Sequence, residues 1–156
     1  DLADPLHREL ALAHVHRLGA AGRVTMVQPY LTAVDTAGET ALLFLAGPEG
    51  LAFSHAIRKG PLLTGPDEGV EGLYKPEEIT ARTAEPAELE VAEKTLVAVP
   101  GGSSRLLYAR VDLIPGPDGT PVLVELELTE PSLFIGYADG APDRLADAIL
   151  THLARA

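Results

Sequence analysis

The chain has 156 residues, enough for one ordinary domain with a real core. Its net charge of −11 argues against a broad nucleic-acid surface, which needs a basic patch. It has no cysteine, hence no disulfide or thiolate metal site; no apolar run nears the ~20 residues of a membrane span, and no signal peptide is visible.

Asp4 followed by Pro5 reads as a helix start, with an acid at the N-cap and proline at the first helical position. Leu6, Leu10, Ala13 and Arg17 or Leu18 follow at helical spacing, and Gly19 or Gly22 can end the element, predicting a helix over 5–18. His14 and His16 do not face each other on it and His7 lies two turns from His14, an arrangement unsuited to a metal site. Residues 24–31, VTMVQPYL, read as a buried-type strand ending at Gln28, Pro29, Tyr30 and Leu31. Proline stops a sheet ladder, so this end either offers backbone groups to a ligand or simply runs an edge strand into a loop.

Asp35 to Glu39 reads as a polar turn before an apolar strand over 40–45. Gly47-Pro48-Glu49-Gly50 then turns into a strand over 51–58, with Arg58 and Lys59 at its end. An arginine fork suits phosphate or carboxylate; the plainer alternative is a surface pair balancing an acidic chain. His55 reads as a structural group rather than a base. Residues 60–82 are rich in Gly and Pro, predicting a long loop placed to act as a mobile cover near a substrate, and they lack the GxxxxGK[ST] phosphate loop. Glu85-Pro86 starts a helix over 86–99 with Leu89, Ala92, Leu96 and Val99 on one stripe, and Pro142 opens a last helix over 142–154 with Leu145, Ile149 and His152 or Leu153 buried.

The stretch between those helices, LLYARVDLIPGPDGTPVLVELELTEPS, organises the rest. Asp118-Gly119 is a strong two-residue hairpin signal; it pairs Pro117 with Thr120 and, counting outward, Asp112 with Glu125 and Arg110 with Glu127. Alternation then puts Tyr108, Arg110, Asp112, Glu125, Glu127 and Thr129 on one face, and Leu107, Ala109, Val111, Leu113, Val124, Leu126 and Leu128 on the other. Prolines near the tip can shift this register through a bulge. Like charges opposite one another cost roughly 0.2–1 kcal/mol per pair, and only Arg110 separates these acids. A hard cation such as magnesium would relieve the conflict; a solvated outer sheet face is the alternative. The fold class expected is α+β: an antiparallel sheet of strands 24–31, 40–45, 51–58, 106–114 and 121–129, with the helices packed on one face.

The residues LLYARVDLIPG and PVLVELELTEPSLF resemble the end of the ATP-grasp fold, in its branch of glutathione-synthetase-like carboxylate–amine ligases. The similarity is closest to amino-acid and peptide-like pathways, including cyclo-ligases of the cycloserine type. It implies that Asp112, Glu125 and Glu127 hold Mg2+ against ATP. It also implies that Gln28, Pro29, Tyr30 and Leu31 read adenine through the main chain, and that Glu39, with Asp35 second, binds the ribose hydroxyls. Arg58 would reach the transferred phosphoryl group with Lys59 in support, Arg110 would sit beside the metal acids, and Glu130 and Ser132 would contact the acceptor substrate.

The resemblance runs from about Val24 to the C-terminus. It makes residues 1–23 a helix and linker from a truncated small subdomain and 24–156 the C-terminal subdomain of an ATP-grasp fold. The ATP-binding lysine, the glycine-rich flap and a substrate domain would precede Asp4, so the chain is expected to be part of a longer ligase and inactive alone. That ligase would activate a carboxylate as an acyl phosphate for attack by an amine, needing no protein nucleophile. The rival is a non-catalytic nucleotide-binding, metal-binding or interaction module. The expected partners are ATP and a small amino-acid-like substrate, without nucleic acid or membrane. Homodimerisation is left open, and the expected location is the cytoplasm.

Overall fold

A computed structural model describes residues 2–61 and 78–155. The chain separates into two compact units, Asp1–Tyr30 and Leu31–Ala156.

The first unit is built on helix α1, Pro5–Ala20. Asp4 caps it, accepting from the backbone N–H of Leu6 at 2.8 Å and of His7 at 3.2 Å, with Pro5 in the first turn where no donor is missed. Residues 23–31 form no strand, correcting the expected strand over 24–31. Val24 is 99% and Met26 81% exposed, so this apolar run lacks the pairing that would make it a ladder. A strand exists only as part of a ladder, and among the described residues no sheet ladder includes this run.

The second unit is α+β, a five-stranded antiparallel sheet in the order β3-β2-β1-β4-β5. Its elements are α2 (Val34–Ala37), β1 (Glu39–Gly47), β2 (Gly50–Lys59), β3 (Ile79–Arg82), α3 (Pro86–Val97), β4 (Tyr108–Pro115), β5 (Pro121–Glu127), a 3-10 turn at Ile135–Tyr137 and α4 (Ala141–Leu153). The fifth strand is thus β3, inside the expected loop over 60–82, where Ile79 and Thr80 favour the extended chain. The remainder of that loop, 62–77, lies outside the described residues. The polar turn expected at 35–39 is instead the short helix α2, closed by Gly38.

β1 is central and buried on both faces, which is why it reads as a continuous apolar run. Leu42 and Phe44 pack with Ala92 and Leu96 of α3, while Leu45 packs with Ala148 and Leu145 of α4. Successive β1 residues point to opposite faces, so α3 and α4 cover different faces and the expected single helical layer is divided. In α4 the buried positions are Ala141 and Ala148; Ile149 is 41% and Leu153 65% exposed. Among the described residues no helix is long and apolar enough to cross a membrane.

Candidate functional site

The β4–β5 hairpin sets the site, and its register has a compensated form. Arg110 pairs with Glu127 and Asp112 with Glu125, as expected, but Leu113 pairs with Leu123 and Pro115 with Pro121. The tip is therefore wider than a two-residue turn: Gly116 N–H donates to the Thr120 carbonyl at 2.7 Å, and Gly119 adopts φ +81°. A bulge beside Asp112 absorbs the extra residue and restores the acid pairing. It also turns Val124 outward, to 46% exposure, so Val124 leaves the expected apolar set.

Asp112 is fully buried and bonded twice over. Lys59 Nζ donates to its Oδ2 at 2.8 Å, and Arg110 Nε donates to Oδ1 at 2.9 Å. Arg110 also reaches Glu125 Oε2 at 3.3 Å and Glu127 Oε2 at 2.6 Å, while Lys59 pairs with Glu39. Four carboxylates thus surround two cations, an excess of two negative charges. Burial pushes the Glu39 carboxyl up against the lowering effect of Lys59, and Asp112 pushes it further. Burial works against the Lys59 and Arg110 charges, but their carboxylate partners more than offset it and both pKa values rise.

Arg58 is not part of this cluster. It neighbours Lys59 on β2 and so points to the other face, where Nε donates to the Ala37 carbonyl at 2.6 Å and an amino group to the Thr36 carbonyl at 3.1 Å. The guanidinium braces the end of α2. Gly38 follows at φ +72°, and a Cβ there would run into the Lys59 carbonyl and come 3.1 Å from Arg58 Cζ. Arg58 and Gly38 together deliver Glu39 to Lys59.

Beyond β5 the chain folds back over the acid face. Leu133 and Phe134 pack on Ala41, Leu43 and Ile57, and the Arg110 guanidinium lies 5.8 Å from the centre of the Phe134 ring. Glu130 (φ 38°) and Phe134 (φ 48°) both adopt the left-handed region, at a cost of order 1–3 kcal/mol each. Sequence reasoning missed Leu133 and Phe134; the signal was an apolar pair directly after TEPS. Glu130 and Ser132 are exposed on this loop, and Asp35 is exposed on α2. Gln28, Pro29 and Tyr30 end the first unit, and Leu31 opens the second with its carbonyl accepting from Val34 N–H at 3.1 Å.

Among the described residues no three His, Asp or Glu side chains are gathered as a ready metal-holding group. The acids converge on Arg110 instead. Their chemistry nonetheless fits a hard cation: all are oxygen donors, they outnumber their counter-charges, and the buried Glu39 Oε1 and Glu127 Oε2 make ion pairs without hydrogen-bond geometry.

No family model matches the chain. Its sequence and its fold both have relatives, and these support likeness to ATP-grasp ligases of the cycloserine type. It is 39% identical over 155 residues to the cycloserine biosynthesis protein DcsG of Streptomyces lavendulae, covering 97% of this chain and 48% of that protein. The crystal structure of D-cycloserine synthetase DcsG matches with a TM-score of 0.75 and 38% identity over 93% of this chain and 48% of that one. A D-alanine–D-alanine ligase of Bacillus anthracis complexed with ATP matches more remotely, at 25% identity and a TM-score of 0.43 over 75% of this chain and 39% of that one. The chain spans about half the length of DcsG.

Proposed function

We propose that the chain is the C-terminal part of an ATP- and magnesium-dependent ligase that activates a carboxylate as an acyl phosphate for attack by an amine. The observation that carries this reading is the acid-rich cluster around a buried Arg110, in a chain that matches DcsG over 97% of its length. In this reading residues 1–23 come from a preceding subdomain and 24–156 form the C-terminal one. Likeness to a D-cycloserine synthetase favours an amino-acid-like substrate.

Asp112, Glu125 and Glu127 would hold magnesium, whose contribution is to neutralise charge on the phosphates of ATP. With those acids engaged by the cation, the Arg110 amino groups would be left to bind the oxygens of the transferred phosphoryl group. Arg110 therefore takes the phosphoryl role expected of Arg58, which serves as the brace of Gly38. Lys59 keeps Glu39 and Asp112 in place at the edge of the site, and Glu39 and Asp35 take the ribose. Glu130 and Ser132 lie on the loop offered to the acceptor.

The test is ADP release by the intact protein, assayed with Mg·ATP and amino-acid-like carboxylates and amines. Glu125→Gln is expected to abolish turnover while leaving the fold intact, since Glu125 is exposed and only its 3.3 Å contact to Arg110 is altered. Arg110→Ala is expected to remove about 2–4 kcal/mol of transition-state stabilisation. Parental activity in Glu125→Gln returns the sheet face to a solvated surface.

A further inference from the structure

β2 carries a bulge. Leu43 pairs with His55 and Phe44 with Phe53, so Ser54 has no partner on β1. Leu43 also pairs with Arg110, which puts His55 in the same cross-strand row, and on the same face, as the guanidinium of the site. From there the buried imidazole makes two contacts: Nε2 lies 3.0 Å from the Leu133 carbonyl and Nδ1 lies 2.8 Å from Ser54 Oγ. Arg144 of α4 donates through Nε to that same Oγ at 3.0 Å, and through an amino group to the Asp139 carbonyl at 3.0 Å.

One proton assignment uses every donor in this chain. A carbonyl only accepts, so Nε2 carries the hydrogen. Arg144 Nε only donates, so Ser54 Oγ accepts from it; with a neutral ring, the hydroxyl hydrogen then goes to the bare Nδ1. In that neutral form all donors run in one direction, from Arg144 through Ser54 and His55 to Leu133. Burial favours that neutral form, the Leu133 carbonyl opposes it, and the nearby Arg144 charge adds to burial. The end of the relay is the strained loop: Leu133 packs on the sheet, and the Phe134 ring lies against Arg110.

We propose that Arg144, Ser54 and His55 form a positioning relay that clamps the 130–134 loop, so that Phe134 holds the Arg110 guanidinium at the acid face and Glu130 and Ser132 stay presented to the acceptor. Its bearing on catalysis rests on the ligase reading above; its geometry does not. His55 touches no reacting atom in this proposal and acts through Leu133 and Phe134.

Nitrogen-15 NMR of labelled imidazole in the intact protein at pH 7 should show His55 neutral, with hydrogen on Nε2. Amide exchange in residues 130–134 should rise at least tenfold in His55→Ala and in Ser54→Ala, and stay within threefold of the parent in His55→Gln, whose side-chain amide can donate to Leu133. In the ligation assay His55→Ala should lower kcat at least tenfold with KM for ATP within twofold, and His55→Gln should recover most of the loss. An Nδ1–H tautomer, a charged ring, or parental exchange in both Ser54→Ala and His55→Ala overturns the relay. Raised exchange with undiminished kcat overturns its positioning role. If the parent itself shows no ligation, the ligase reading fails, and the tautomer and exchange results still decide the relay.

Discussion

Two carboxylates lie buried on opposite faces of the sheet, and they are built differently. Glu88 of α3 is 7% exposed and accepts from Thr40 Oγ1 at 2.9 Å, from Arg82 at 2.9 Å and from the Glu85 N–H at 2.8 Å. One charge meets one counter-charge, the neutral donors complete the shell, and the same side chain closes the capping box of α3. Asp112 is 0% exposed and has two cations, but those cations are shared with Glu39, Glu125 and Glu127. The first carboxylate ties a helix, a central strand and an edge strand together with its charge matched one to one. The second sits in a cluster of oxygen donors that carries uncompensated negative charge and opens through Glu125 to solvent, a chemistry that suits a hard cation.

Removing each carboxylate breaks the comparison in its own way. Asp112→Ala leaves Lys59 and the inner side of Arg110 buried without their partner, an effect of about 3–5 kcal/mol, read from urea unfolding. A loss below about 1 kcal/mol would show that the two cations find other partners at no cost. Glu88→Ala forfeits a charge-assisted hydrogen bond (~1.5–3 kcal/mol) and part of a cap (~0.5–2 kcal/mol), so about 2–5 kcal/mol is expected. The functional readouts should then part company. Glu88→Ala should keep parental Mg·ATP turnover per folded molecule, and Asp112→Ala should have none. Equal loss of turnover in both would make the acid cluster architectural.

A smaller effect sharpens the boundary between the two faces at Gly38, where the chain passes from the Arg58 brace to Glu39. Gly38→Ala puts a Cβ against the Lys59 carbonyl at a φ of +72°, and should destabilise by about 1–3 kcal/mol. Because the same shift moves Glu39 away from Lys59, weaker ATP binding should accompany it. Unfolding titrations and nucleotide binding on one preparation check both.

The acid face was legible in the sequence because period-2 alternation and an Asp-Gly turn suffice to bring Arg110, Asp112, Glu125 and Glu127 together. The wider tip and the bulge cancel in register, so the pairing survives a turn that was not the expected one. Arg58 was not legible. Lys59 and Arg58 are adjacent, and choosing which of two neighbouring cations enters the site requires knowing which face of β2 the acids share. The relay of Ser54, His55 and Arg144 spans 90 residues between Ser54 and Arg144 and depends on a bulge that no turn residue announces. The run at 24–31 misled for a related reason: continuous apolar residues signal a buried strand only where partners exist, and periodicity carries no information about partners.

The smallest expected effect is in the pH dependence of stability, and it separates groups on the acid face by sign. Lys59 has its pKa raised above 10.5 in the folded chain by Asp112 and Glu39, which together outweigh burial. Its contribution is therefore complete below 10.5 and lost as pH rises through the folded value. His55 is lowered from 6.5, first by burial, so the unfolded chain takes up a proton more readily. Its contribution is present above 6.5 and lost as pH falls toward the folded value. Glu39 has the opposite slope on the acid side: raised above 4.5 by burial, it makes the folded state gain stability as pH falls through its folded value. On the acid limb His55 and Glu39 thus act with opposite signs, and substitution separates them. His55→Gln should flatten the loss that begins near 6.5 and leave the alkaline limb unchanged. Glu39→Gln should remove the opposing gain, making the acid loss steeper, and should also lower the alkaline limb because Lys59 keeps only Asp112. Urea midpoints measured across the pH range decide it. An unchanged acid limb in His55→Gln would mean that the imidazole titrates alike in the folded and unfolded chains.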